Sequence, residues 1–563
     1  MMNWIQREPA RKPNNDDSIL ERIAKIRGIE DYQKFLNPTE EELHDPYSMK
    51  NIQDASNRII KAIDKNERII VSYDPDADGL TATTIMLRYL KNYTDNVDYI
   101  YGERSDGHGI TEMIKISNLS PSKDADRIEH NKSNTDKIRN ADLLILIDSS
   151  SNDVETCKFI REKLNTDIII LDHHAIESKN PYALLVNPQQ DECEYPNKYL
   201  SGAGVVFKTI QVMEDTLNQV DVWQYIDLVA VGLYADVMRL DILENRYLIM
   251  QGLRNMKNTG LVRILKGGKV NMYKMKGDAI GFTIAPMLNG AARMDNIKLA
   301  IDILLEDDDK VCKKIRLQMH KLNKYRKEKQ KEITDQYKKN IDDTKKVLIV
   351  TDEQSSKGFN GIVAQQLSEE YKRPVIVGRI HNGKLSGSFR SYNGFKFKRF
   401  LNQFDGELDA LGHEGAGGIE ISQDLLPDLE KYIERHMPSL EDVKPTVYYD
   451  LDISVDEVGQ YVKELDKFNL LTGNGFPKVI VRVNGISVEE PSCIGETKET
   501  VKIGTLNDME LIKFRVNEEY ASELSYFDMI DVVGQLTMNE WFNFATRKLV
   551  AVPQVILHDY VKS

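Results

Sequence analysis

The segment Ile69-Ile70-Val71-Ser72-Tyr73-Asp74-Pro75-Asp76-Ala77-Asp78-Gly79 decides the fold. It opens on the continuous apolar run Ile69–Val71, as expected of a strand buried on both faces. It closes on an acidic turn. Leu80–Leu90 then sets Ala82, Ile85, Met86, Tyr89 and Leu90 on one helical face. The pattern recurs downstream. Leu143–Ile147 ends in Asp148, and Ile168–Leu171 ends in Asp172-His173-His174. A fourth apolar run, Leu228–Ala235, ends in Asp236 and reads as a further strand. Alternating strands and helices predict a mostly parallel, doubly wound α/β sheet. In such sheets ligands bind at the carboxyl ends of the strands, so four distant clusters are expected to meet in one crevice.

Any one of these clusters alone reads as a turn or a helix cap. All four together, each closing an apolar run, read differently. Carboxylates crowded into one crevice repel by several kcal/mol unless cations lie among them. Oxygen and imidazole ligands suit manganese, magnesium or zinc. Two ions about 4 Å apart would clamp a phosphoryl group from both sides and activate water.

Asp76-Ala77-Asp78-Gly79, Asp148, Asp172-His173-His174 and Ala235-Asp236 resemble the four signature motifs of the DHH phosphoesterases. Further segments resemble the RecJ branch of that family. They are Glu103–Gly109, Leu200-Ser201-Gly202-Ala203-Gly204-Val205-Val206, Asn245-Arg246, Asn289–Arg293, Gly387–Ser391, and Gly412-His413 with Ala416 and Gly418. The entry to the C-terminal region, Gly473-Asn474, also echoes a RecJ loop. The chain departs from the family in places. Ser72 stands where the superfamily often carries a histidine, while Asp74 keeps a RecJ aspartate. His108 replaces a tyrosine, Leu411 replaces a glycine, and Arg104 sits one residue nearer the glycines than the family's arginine.

The resemblance implies a single-stranded-DNA-specific 5′→3′ exonuclease of DNA recombination and repair, working by two-metal-ion catalysis. Its cofactors would be two divalent cations, manganese first and magnesium second. One would be held by Asp76 and Asp148 with Asp74, the other by Asp78, Asp148, His173 and Asp236, with Asp148 shared. His174 would face the scissile phosphate, and Asp172 would orient a neighbouring group. Arg293, Arg390 and Ser388, with Arg104, would grip a 5′ phosphate, and His413 would contact the phosphate near the metals. Arginine suits this task because its fork reaches two phosphate oxygens. A single-strand-binding protein or a helicase is the partner class implied. Two rivals are weighed: an oligoribonuclease or nucleotide phosphatase of the superfamily, and a non-catalytic module of a replication complex. The former chains are shorter and lack a C-terminal barrel; in some of the latter, metal ligands are lost.

The rest of the chain fits this organisation. Residues 1–55 read as a polar lead-in, 56–300 as the DHH catalytic domain and 301–340 as one long connecting helix. Residues 341–438 return to α/β alternation from a strand at Lys346–Val350 and resemble the DHH-associated, substrate-binding domain. Ser439–Lys444 reads as a linker. The short runs Val479–Val483, Met529–Val533 and Leu549–Leu557 in 445–563 predict an OB-like barrel that binds nucleic acid, with Trp541, Phe542 and Phe544 as stacking candidates. The net charge of −14 is unusual for a DNA binder. However, carboxylates at a metal site account for part of it. Basic residues cluster instead on Lys313–Lys339, which carries Lys313, Lys314, Arg316, Lys321, Lys324, Arg326, Lys327, Lys329 and Lys331. Such a helix can follow phosphates without reading bases. No P-loop supports ATP use. The 4 cysteines form no CxxC pair, which argues against a zinc knuckle or a disulfide framework. No run approaches the ~18 apolar residues of a membrane span, and Met1–Asp17 lacks the apolar core of a signal peptide. A cytoplasmic protein is expected.

Overall fold

Five parallel strands form the first sheet: β1 (Ile69–Tyr73), β2 (Val97–Tyr101), β3 (Leu143–Ile147), β4 (Asp167–Leu171) and β5 (Leu184–Val186). Their spatial order is β2-β1-β3-β4-β5. Every residue of β1 and β3 is buried, as their unbroken apolar runs require. The chain leaves β1 for one side of the sheet and returns to β3 on the other. The order therefore reverses between these strands, and a crevice opens beyond their carboxyl ends. The computed structural model describes residues 2–14, 16–102, 109–111, 113, 133–339, 341–352, 357–438, 445–495, 498–543 and 547–563.

Three helices pack around that crevice. The first, α1 (Ala77–Leu90), starts three residues before the expected Leu80, because Asp76 caps it. It is buried on all sides rather than on one face; only Arg88 is partly exposed. Thr81 and Thr84 make this possible by donating to the carbonyls of Ala77 and Leu80. Next come α2 (Gly202–Leu217) and α3 (Ile226–Ala235), followed by α4 (Leu243–Arg254). The run Leu228–Ala235 is thus helical and not a strand, and Asp236 closes the helix at its C-cap. A continuous apolar run does not distinguish a buried strand from a buried helix. Gly232 betrays the difference: a Cβ there would lie 2.3 Å from Asp78 Oδ1, so only glycine lets α3 approach α1.

The connecting segment is also broken. Helix α5 (Ile297–Leu305) ends before Glu306, and α6 (Asp309–Lys338) begins anew. The Asp308 carboxylate accepts from the N–H groups of Lys310 and Val311, so it caps a new helix rather than continuing the old one. Beyond α6 and α7 (Lys357–Tyr371) lies a second sheet of β6 (Leu348–Thr351), β7 (Val375–His381), β8 (Lys384–Arg390), β9 (Leu408–His413) and β10 (Ala416–Ser422), in the order β9-β10-β8-β7-β6. Only β6 and β7 run parallel. The strand expected at Lys346–Val350 runs two residues later at its start. Phe389, Phe397, Leu401 and Ile419 form part of this sheet's core.

The chain divides into two compact units, Glu41–Leu440 and a second of Met1–Glu40 with Glu441–Ser563. The lead-in of residues 1–55 is therefore shared between them. In the second unit Asn3–Gln6 pairs in parallel with Thr446–Tyr449. The expected linker Ser439–Lys444 lies outside the described residues. Five strands close a barrel: β11 (Val481–Ile494), β12 (Thr500–Thr505), β13 (Glu510–Phe514), β14 (Met529–Asn543) and β15 (Lys548–Lys562). They run β11-β12-β13-β15-β14, and β14 pairs back onto β11. Closure is possible because β11 bends. Its first half pairs with β14 and its second with β12, with a bulge between Val483 and Ile486 where Gly485 takes φ +76°. Trp541 is exposed on β14, while Phe544 and the side chain of Phe542 lie outside the described residues.

Within this unit the helix Ile19–Arg27 is capped by the Ser18/Glu21 box and ends on Gly28 at φ +73°. Its last residue, Arg27, donates to both oxygens of the fully buried Asp450, at 2.5 and 2.8 Å. Asp450 also accepts from Ile480 N–H, while Arg7 lies 3.4 Å away. Arg27→Ala would leave a buried carboxylate without its bidentate partner. We expect a loss of about 3 kcal/mol or more, read as an earlier denaturant transition of this unit. A loss under about 1 kcal/mol would mean that Arg7 closes the gap and the pair is not critical.

Candidate metal centre

The first acidic turn divides its carboxylates by task. Asp76 caps α1 and accepts from the N–H groups of Asp78 and Gly79 at 2.9 and 3.1 Å. Asp78, buried in the first turn, reaches across to the start of α2. There it accepts from Gly202 N–H at 2.6 Å and Ala203 N–H at 3.0 Å. The N-terminal end of a helix favours a carboxylate at that position. Asp74 is buried beside them, and the turn is tight enough that a Cβ on Gly79 would meet the Asp74 carbonyl oxygen at 2.3 Å.

Asp148 follows β3 in the left-handed region, at φ +59°. This unusual backbone turns the buried carboxylate into the crevice. Gly202 leaves room for it, since a Cβ there would lie 2.8 Å from both Asp148 Cβ and Oδ1. Asp148 Oδ1 has no hydrogen-bond partner. Opposite it, His173 Nε2 lies 3.1 Å from Asp148 Oδ1, 3.3 Å from Asp236 Oδ2 and 3.8 Å from Asp78 Oδ2. Burial, first, and the neighbouring His174 lower the ring's pKa to about 4. A neutral ring with its proton on Nδ1 presents the Nε2 lone pair to three carboxylates. Acceptors facing acceptors in a buried site call for a cation between them. The donor set therefore fits a divalent metal, with Asp78, His173 and Asp236 within reach of one ion.

Asp172 has a different character. It is buried and accepts from Ser151 Oγ at 2.6 Å, from the N–H groups of Ser151, His173 and His174, and from His174 Nδ1 at 2.7 Å. Burial would raise this carboxyl, but the His174 hydrogen bond and charge hold it well below the usual range. In return the Asp172 bond lifts His174 to about 9, so His174 carries a proton at neutral pH. The His174 side chain is 55% exposed and that of Asp236 30%, which marks the open side of the centre. Ser72, where the superfamily often has a histidine, is buried and donates to Met113 Sδ at 3.4 Å, which takes it out of the cluster.

The phosphate-gripping candidates gather elsewhere. Arg293, at the end of the helix Ala285–Arg293, donates to Gly358 O at 3.2 Å in the first turn of α7. Arg390 and Ser388 project from one face of β8 towards the next turn, where a Cβ on Gly361 would meet Arg390 Nη2 at 2.7 Å and Ser388 Oγ at 3.7 Å. Three of the candidates thus converge on the start of one helix, a favourable place for an anion. His413 is exposed at the tip of the β9–β10 hairpin, where Gly412 takes φ +114°. Arg104 lies outside the described residues. Sequence reading missed the supporting parts: the Gly202 and Ala203 donors, the close approach at Gly232, and Ser151. A glycine inside an apolar helical run was the available signal.

The fold and this centre define a DHH-type domain, and residues 68–233 match the DHH family, N-terminal domain. Residues 449–551 match the RecJ OB domain, so two separate segments of the chain are similar to parts of RecJ-like proteins. It is 29% identical over 93% of its length to the single-stranded-DNA-specific exonuclease RecJ of Bacillus subtilis, and spans 65% of that protein. It is 28% identical to the putative SPbeta prophage-derived single-strand DNA-specific exonuclease YorK of B. subtilis, over 93% of each chain. The crystal structure of Thermus thermophilus RecJ in complex with Mn2+ superimposes with a TM-score of 0.78 at 22% identity, over 100% of this chain and 80% of that one.

Without a cation the carboxyls are pushed up, by burial first and then by one another. Asp78 and Asp148 are raised, and Asp236 reaches about 8. The folded metal-free chain then holds protons that the unfolded chain releases near pH 4. That contribution to stability is complete below the unfolded pKa and is lost as pH rises through about 8. A bound cation must displace the same protons. We therefore expect the melting temperature of EDTA-treated protein to fall between pH 5 and pH 8, and the gain on adding Mn2+ to grow over that interval. A gain that is flat or shrinks with pH would remove these carboxyls from the metal site.

Proposed function

We propose that this chain is a metal-dependent exonuclease that hydrolyses single-stranded DNA from its 5′ end, in recombination and repair. The observation that carries this reading is the buried His173 Nε2 held within 3.8 Å of Asp78, Asp148 and Asp236 at the switch point of a DHH-like sheet. The relatives named as single-strand DNA exonucleases support the substrate class. Asp76, Asp148 and Asp74 would hold one cation, and Asp78, Asp148, His173 and Asp236 the other, manganese first and magnesium second. Bound there, the two cations supply activated water and neutralise charge developing on the phosphate.

The chain's own groups do the rest. Asp172 fixes the His174 ring through Nδ1 and keeps it protonated, so the exposed Nε2–H can donate to a phosphate oxygen. Arg293, Arg390 and Ser388 would grip the terminal phosphate at the start of α7, with His413, and with Arg104 from the undescribed segment. The exposed lysines of α6, among them Lys313, Lys314, Lys321 and Lys324, would follow the backbone of the strand. The barrel is assigned to binding longer strands, and a single-strand-binding protein or helicase is the partner class. The compartment assigned is the cytoplasm; no helix among the described residues is long and apolar enough to cross a membrane.

The test is digestion of end-labelled single-stranded and duplex DNA and RNA with Mn2+ or Mg2+, for wild type and Asp148→Ala. We expect Mn2+-dependent release from 5′ ends of single-stranded DNA, and a loss of roughly four or more orders of magnitude in the variant, because metal-activated water carries the reaction. Preferential digestion of RNA, or a variant with about a tenth of wild-type activity, would overturn the reading. A second measurement addresses polarity. Each charged contact to a phosphate contributes about 1.5–3 kcal/mol. Arg390→Ala should therefore lower the rate on 5′-phosphorylated strands roughly ten- to a hundredfold and shrink the preference over a 5′ hydroxyl by a similar factor. An unchanged ratio, or degradation from the 3′ end, would exclude this pocket.

A further inference from the structure

We infer that Asn245 is a positioning residue for the Asp78–His173–Asp236 metal site, an inference that rests on the metal-dependent reading above. Asn245 lies in the first turn of α4 and is fully buried. Its Nδ2 donates to two main-chain carbonyls, Tyr199 O at 2.8 Å and Arg239 O at 3.0 Å. Its Oδ1 accepts from Asn197 Nδ2 at 2.9 Å. Both amide hydrogens are used, and the amide orientation is fixed. The flipped form would set an oxygen against two carbonyls and an NH2 group against another NH2 group.

The two carbonyls belong to the two backbone strips that hold this site. Tyr199 begins the first strip. The next residue, Leu200, leads into the start of α2, which holds Asp78. Ser201 caps α2, and Gly202 and Ala203 supply the N–H groups that hold both oxygens of Asp78. Arg239 belongs to the second strip, which leaves α3 through Asp236. That strip makes a left-handed turn at Val237, φ +57°, a conformation costly for a β-branched residue. Val237 N–H and Met238 N–H fold back onto the carbonyls of Tyr234 and Leu233. Asn245 is the bridge between the strips: one side chain sets how far Asp236 stands from Asp78 and His173.

The neighbouring network supplies the control. Glu244 is equally buried and accepts from Tyr195 Oη at 2.8 Å, Asn197 Nδ2 at 2.9 Å, His44 N–H at 3.0 Å and Lys208 Nζ at 2.9 Å. The Tyr195 hydroxyl supports this fold but bonds neither strip. A residue that matters only for packing should behave like Tyr195. A positioning residue should in addition change how tightly the metal is held. Losing such an outer hydrogen bond typically costs ten- to a hundredfold in metal affinity, so about that shift is expected here.

The experiment titrates MnCl2 into EDTA-stripped full-length wild type, Asn245→Ala and Tyr195→Phe, reading heat by calorimetry and the rise in melting temperature. All three should melt below or at the wild-type temperature without metal. Asn245→Ala should need roughly ten- to a hundredfold more Mn2+ for half-saturation of the weaker phase, and Tyr195→Phe the wild-type concentration. Excess Mn2+ should restore turnover of Asn245→Ala on single-stranded DNA. Should Asn245→Ala not melt cooperatively, Asn245→Asp is measured instead, since it keeps the shape and loses both donors. An unchanged Mn2+ midpoint, an equal shift in Tyr195→Phe, or failure of both Asn245 variants to fold would overturn the proposal. A wild type that gains nothing from Mn2+ would instead overturn the metal-dependent reading itself.

Discussion

A neutral imidazole nitrogen surrounded by carboxylate oxygens is the constraint on which the rest of this structure depends. His173 Nε2 and Asp148 Oδ1 are buried acceptors 3.1 Å apart, and neither has a hydrogen-bond partner. Without a cation, only protons retained by the raised carboxyls relieve that arrangement. It persists because rigid elements carry each group: β1 and β3 end at the crevice, α1 begins in it, and α3 ends beside it. The reversal of strand order between β1 and β3 leaves the space they share.

The carboxylates of the crevice fall into two kinds, and the hydrogen bonds sort them. Asp172 takes three N–H groups, a serine hydroxyl and an imidazole, which satisfies it without a cation. Asp76 and Asp78 each take two N–H groups at a helix N-terminus, which offsets part of their charge and fixes their remaining lone pairs. Asp148 receives no such help at Oδ1. It is also the residue whose backbone is held left-handed and whose Cβ fills the space that Gly202 leaves. Strain, an unsatisfied oxygen and a central position coincide at one residue. That is the pattern expected where the protein spends stability on binding something it does not itself supply.

How much of this was legible in the sequence depended on which signal each part leaves. Strands buried on both faces leave unbroken apolar runs, and Leu143–Ile147 was read to the residue. The acidic ends were legible because like charges at several strand ends need a reason. The run ending in Asp236 was assigned the wrong element, since a helix buried on all sides carries the same apolar run as a buried strand. The break at Glu306–Asp308 was missed because α5 and α6 share one continuous helical composition, and only the cap geometry separates them. The roles of the ties that position the ligands were not legible. Asn245 lay in a segment that resembled RecJ, but its role, like that of Ser151, comes from side-chain hydrogen bonds to residues brought together by the fold, which no local pattern records.

The same unit, Glu41–Leu440, holds both the acidic crevice and the start of α7, and this bears on how one end of a strand could be selected. Arg390 and Ser388 ride on β8, while Arg293 comes from the helix preceding α5 and bonds to Gly358. Further along, Gln330 of α6 donates to Gln366 of α7 at 3.0 Å. These contacts fix the arginine cluster to the elements that follow the DHH domain. If that cluster holds a terminal phosphate, the reach between it and Asp148 sets which phosphodiester stands at the metals. Cutting would then be counted from the end and not from the sequence, because none of these groups reads a base. The basic stripe on α6 adds to the same logic. Among the described residues its lysines pair with Glu328, Glu332 and Glu370, and exposed ones such as Lys313, Lys314 and Lys321 can attract a backbone of any sequence. An overall charge of −14 is compatible with that attraction because the field a strand meets is local. The acids sit where cations are expected, and the exposed lysines sit along the helix that precedes α7, where Arg293, Arg390 and Ser388 gather.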